Sequence, residues 1–63
     1  QKIESFSLEW QPDPQNNATI IQQIEQFIAT ELSASTQVLN WFITAQINDG
    51  SNDRYHIEGN CVR

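Results

Sequence analysis

The chain has one cysteine, no methionine and only three cationic side chains in 63 residues. A single thiol, Cys61, cannot close an internal disulfide, which excludes the disulfide-stapled scaffolds of small secreted proteins. One cysteine and one histidine cannot furnish a structural zinc site. Lys2, Arg54 and Arg63 stand against eight acidic residues, for a formal charge of −5. Nucleic-acid binding draws most of its affinity from lysine and arginine set on phosphates. DNA and RNA are therefore discounted as ligands, and anionic membrane surfaces with them. No apolar run approaches the ~20 residues of a spanning helix, and the N-terminus lacks a signal-peptide pattern. These absences predict a soluble, cytoplasmic protein. The lack of methionine, even at position 1, points to a domain cut from a longer chain.

Size sets the next constraint. A single domain this short buries only about 60% of the surface its unfolded chain exposes. Disulfides, a metal or a partner usually supply the missing stability. With the first two discounted, a partner or the rest of a longer chain is expected to supply it.

The residues that are present divide into four segments. In "KIESFSLEW", Phe6, Leu8 and Trp10 alternate with Ser5, Ser7 and Glu9, the period of a half-buried strand. The prolines of "QPDPQNN" break that strand, and Asp13-Pro14 reads as a helix start. "ATIIQQIEQFIATEL" then spaces Ile20, Ile21, Ile24, Phe27, Ile28 and Leu32 by threes and fours. That pattern predicts an amphipathic helix of 15–20 residues, with Gln22, Gln23, Glu25, Gln26 and Glu31 outward. Isoleucine is not a strong helix former, so the helix depends on packing against a sheet. "QVLNWFITAQI" is rich in β-branched and aromatic residues, with Leu39, Trp41, Ile43, Ala45 and Ile47 on one face. "RYHIEGNCV" alternates likewise, placing Tyr55, Ile57, Gly59 and Cys61 together.

If the last two segments pair as a hairpin with all their odd residues on the buried face, opposed residue numbers must sum to an even total. A two-residue turn at Gly50-Ser51 would set Ile47 beside Arg54 and flip one strand. A three- or five-residue loop within 48–53 is therefore expected. The order β-α-β-β gives a small α+β domain, one helix over a three-stranded sheet, with the place of the first strand left open.

The richest chemistry by composition is "INDGSNDRYHIE", yet no site assembles from it. Asp49, Ser51 and Asp53 have the spacing of calcium-loop ligands, but the sixth and twelfth positions hold Arg54 and Asn60 rather than glycine and glutamate. His56 and Cys61, five apart on a strand, point to opposite faces, and Cys61 reads as a small core residue. Ser51 or Asp53 could approach His56 around the turn, but no oxyanion donor accompanies them. "NAT" at Asn17 matches the glycosylation acceptor pattern without any sign of secretion. The scattered glutamates read as solvated surface. Neither catalysis nor a cofactor or metal is expected.

One feature stands apart. Val38, Asn40 and Phe42, with Ile3 from the first strand, fall on the sheet face turned away from the helix. An exposed apolar patch there would mark contact with a partner, and a free strand edge offers a second route. The expectation is a non-catalytic interaction or oligomerisation domain. The alternative is a small inhibitor that binds its target through the 48–53 loop, with Asp49, Asp53 and Arg54 carrying affinity.

Overall fold

The computed structural model describes residues 2–63. The elements follow the expected order: β1 (Ile3–Trp10), α1 (Ile20–Glu31), β2 (Gln37–Asp49) and β3 (Asn52–Val62). They form a small α+β domain with one open, fully antiparallel sheet of order β1-β3-β2. The last strand thus lies in the middle. Since β1 and β2 both oppose β3, they run parallel to each other, and α1 is the crossover between them.

The β1–β3 register pairs Phe6 with Gly59, Leu8 with Ile57 and Trp10 with Tyr55, so the two alternating patterns share one face. Ile24 and Ile28 of α1 pack there with Trp10 and Ile57 to form the buried core. The Trp10 and Tyr55 rings lie 5.7 Å apart, tilted. Cys61 is buried on the same face, a free thiol in the core.

The helix is shorter than its pattern suggests. Asp13 is used in a turn, its carboxylate accepting from the Gln15 N–H. The helix start belongs to Thr19, whose hydroxyl accepts from the Gln22 N–H while the Gln22 side chain accepts from Thr19. This reciprocal capping box satisfies two otherwise orphaned donors. Gln23 also departs from the outward position expected of it. It is buried, accepting from the Asp13 N–H at 3.1 Å and donating to the Ala18 carbonyl at 3.0 Å. The side chain ties the 11–19 loop to the helix it precedes. In the first turn, Ile20 and Ile21 remain exposed.

The hairpin corrects the loop expectation. Asp49 pairs with Asn52, so the turn is the two-residue Gly50-Ser51. Gly50 has φ 66° and no other described residue has positive φ, as a type II′ turn requires at its first central position. Ile47 does stand beside Arg54, with Ala45 opposite His56. Both leave the helix side of the sheet. The extra residue that parity demands is placed inside β2 instead of in the loop. A register shift between Ile43 and Ala45 restores Ile43↔Ile57 and Trp41↔Gly59, and a second between Val38 and Asn40 reverses parity again.

Coverage of the sheet is partial for a geometric reason. Twelve helical residues span about 18 Å at 1.5 Å per residue, whereas the molecule extends 41 Å along its longest axis. Its radius of gyration is 12.4 Å, against about 10.6 Å for a typical compact chain of this length. Among the strands, only β1 comes within 8 Å of α1 between Cα atoms. Along β2, Val38 and Trp41 are half-buried against the core while Leu39 and Ile43 stay exposed, so the helix leaves part of that strand uncovered.

Gly59 carries a specific packing role. A Cβ there would run into the Asn40 carbonyl oxygen and lie 2.6 Å from Cζ of Phe6. One of these neighbours is backbone, which gives way only by distorting the strand. Gly59→Ala is expected to cost about 2 kcal/mol or more of stability, read as a lowered urea midpoint at unchanged m-value.

Candidate functional site

The open sheet face does not gather the four residues expected on it. Ile3, Asn40 and Phe42 do lie on that face, opposite Val62, Asn60 and Glu58 respectively. Val38 does not. The shift at Leu39 sets Val38 opposite Cys61, and its half-buried side chain packs against the core. Ile3 and Phe42 are both exposed but sit on opposite outer strands and at different levels, with Ser5, Asn60 and Asn40 between them. Phe42 borders a shallow depression lined also by Ser5, Ser7, Glu58 and Asn60. Ile3 and Val62 pair at one end of this face, apart from Phe42, and the side chains between them are polar.

Asn40 has a structural task. Its Oδ1 accepts from the Asn60 backbone N–H at 3.2 Å and from the Asn60 side-chain amide at 3.0 Å. These bonds bridge the strands beside the first bulge, where an extra residue interrupts the ladder.

Near the hairpin end, the same face carries a polar network that sequence spacing did not suggest. The Ser7 hydroxyl is hydrogen-bonded to Nε2 of His56. Arg54 pairs with Glu9 at 3.3 Å and more loosely with Asp49 at 3.9 Å. Ser7 and His56 are 49 positions apart, and only the β1–β3 register brings them together. A serine beside a histidine is the beginning of a nucleophile–base pair. Here Glu9, the carboxylate opposite His56, is taken by Arg54, and the pair lies on an exposed sheet surface. Among the described residues, no group of three His, Cys, Asp or Glu side chains is placed to hold a metal. Of the loop residues Asp49, Asp53 and Arg54, the first and last are thus engaged with each other beside the tight turn.

The more developed concavity is on the other face. Between the C-terminal half of α1 and the first half of β2 lies a groove of about 580 Å³, a size typical of ligand sites. Its walls include Ile28 and Leu32 from the helix and Val38, Leu39 and Trp41 from the strand, with Glu25 at the margin. The first bulge builds the strand wall. Leu39 stands without a cross-strand partner between the Val38–Cys61 and Asn40–Asn60 pairs, and such a bulge re-aims a side chain relative to the regular alternation. Val38 and Leu39 then line the groove beside Trp41. Leu39 remains 48% exposed and Ile43, further along β2, 47% exposed. The outer side of β2 is also a sheet edge, a row of backbone donors and acceptors without a strand partner.

Comparison with protein-family models, with curated proteins and with solved structures yields no match.

Since Asn40 holds the bulge that shapes this wall, Asn40→Ala should lower stability by about 1–2 kcal/mol. In NMR spectra of the variant, the largest amide and methyl shifts are expected at Val38, Leu39 and Asn60. Shifts confined to residue 40 and its chain neighbours would separate Asn40 from the bulge.

Proposed function

We propose that the chain is a non-catalytic protein-interaction domain of a larger cytoplasmic protein. It binds an extended segment of another protein along the free edge of β2, with apolar side chains of that segment seated in the α1–β2 groove. The observation that carries this reading is the adjacency of two features. An apolar groove lies directly beside an uncovered strand edge, and Leu39 stands exposed between them. Strand addition uses both: backbone hydrogen bonds give affinity, and pockets for alternate side chains give specificity.

This reading moves the contact surface from the open face to the helix side of β2. Val38, Leu39 and Asn40 line the groove, whereas Ile3 and Phe42 lie on the open face. A domain whose helix covers only part of its sheet also gains stability when a partner covers the remainder, by mass action.

The test is a comparison of two surface variants with peptides selected for binding from a random display library. Leu39→Asp should weaken peptide binding by about tenfold or more, because it sets a charge in an apolar contact. Phe42→Ala should leave binding unchanged. Both residues are exposed, so each variant should stay within about 0.5 kcal/mol of the parent in stability. Peptides whose binding depends on Phe42, or on Asp49 and Asp53 of the turn, would place the contact elsewhere.

A further inference from the structure

We infer that the occupant of the free β2 edge is β2 of a second copy, paired antiparallel about a two-fold axis at Trp41. This rests on the strand-addition reading and names the partner at that same edge. The sheet has two outer strands, and they differ in charge. β1 carries Glu4 and Glu9. Glu4 falls on the helix side, in register with Phe6, Leu8 and Trp10, and an inward-pointing charge is one device that keeps an edge from pairing. β2 has no charged residue between Gln37 and Asn48. Its exposed side chains on the helix side, Leu39 and Ile43, are instead apolar. The chain also exposes 4592 Å², whereas a folded monomer of its mass exposes roughly 4,200 Å². A stable dimer buries roughly 800 Å² on each copy, and the excess supplies about half of that.

Two-fold pairing makes one patch meet itself, and directly opposed residues of antiparallel strands share a face. With Trp41 on the axis, Leu39 of one copy lies opposite Ile43 of the other. Trp41, half-buried in each copy, lies opposite its own counterpart. These side chains form one apolar stripe across the junction on the helix side, and Leu39 and Trp41 carry it into both α1–β2 grooves. Centring the pair on Phe42 would set Leu39 opposite Ala45, which the shift after Ile43 has turned to the other face. The bulges at Leu39 and near Thr44 bracket the stretch and break the ladder on either side, which holds pairing to one register. The formal charge of −5 on each copy does not meet itself there. Asp49, the one charged residue of β2, lies roughly 26 Å along the strand from Trp41. The two Asp49 side chains therefore sit at opposite ends of the paired strands, far beyond the ~8 Å Debye length at physiological salt.

The test is sedimentation equilibrium of the chain from micromolar to millimolar concentration, where a monomer–dimer equilibrium is expected. Leu39→Asp and Ile43→Asp should each raise the dimer dissociation constant about tenfold or more, since each sets a charge in an apolar contact. Ser5→Asp, on the β1 edge, should leave it unchanged. All three positions are exposed, so the variants should stay folded. A dimer that responds to Ser5→Asp and ignores Leu39→Asp would overturn the inference. NMR of the unaltered protein, mixing isotope-labelled and unlabelled chains, gives the register. Intermolecular cross-peaks between the Leu39 and Ile43 methyls are expected, whereas cross-peaks between the Phe42 rings of two copies would overturn the axis at Trp41. A chain that stays monomeric throughout but binds display-selected peptides through Leu39 would overturn the inference and leave strand addition standing. One that stays monomeric and binds none would overturn both.

Discussion

The arrangement of this domain follows from one conflict in strand pairing. A two-residue turn at Gly50-Ser51 fixes the β2–β3 register so that Ile47 meets Arg54. The buried face nevertheless requires Ile43 beside Ile57 and Trp41 beside Gly59. Side chains alternate with a period of two, so no uninterrupted ladder satisfies both. The chain resolves the conflict by inserting one residue near Thr44 and another at Leu39. The face taken by each β2 side chain before Ala45 depends on one or both of those insertions, including the wall of the groove.

Helix length compounds the effect. The core is compact where α1 covers it, with Ile24, Ile28, Ile57 and Cys61 fully buried. Beyond the helix the sheet continues uncovered, and Leu39 and Ile43 stay exposed. A small core is marginal to begin with, and the loop closure supplied by Gln23 and the capping box at Thr19 holds the helix where the core needs it. The bulges also have a protective side. They interrupt the regularity of an edge strand, one means by which open sheets resist pairing with unintended copies. Among the described residues, no helix is long and apolar enough to cross a membrane.

Much of the fold was legible from periodicity. The strand pattern of Phe6, Leu8 and Trp10, the helix from Ile20 onward and the buried odd positions of β3 follow from apolar spacing, which reports directly on which face meets the core. Parity likewise showed that one residue too many had to be accommodated. It could not locate that residue, because the cost of a bulge depends on cross-strand neighbours such as Asn40 and Asn60 rather than on local sequence. Even spacing in the sequence groups Val38 with Phe42, but a single bulge between Val38 and Asn40 reverses its face. The sequence pattern sets Gln23 on the polar side of the helix, because burial of a polar side chain depends on distant partners, here Asp13 and Ala18. The Thr19–Gln22 capping box, by contrast, was readable as a threonine with glutamine three residues on, and it marks the true helix start better than Asp13-Pro14. The candidate site was the least legible part, since the groove exists only where a short helix, a bulge and a sheet edge meet.

The most direct measurement is a methyl NOE experiment on the folded domain in solution. With the bulge at Leu39, the Val38 methyls show cross-peaks to the Ile28 or Cys61 side chains and none to the Val62 methyls. A Val38–Val62 side-chain contact on the open face, together with loss of the Asp49–Asn52 pairing, would contradict the account.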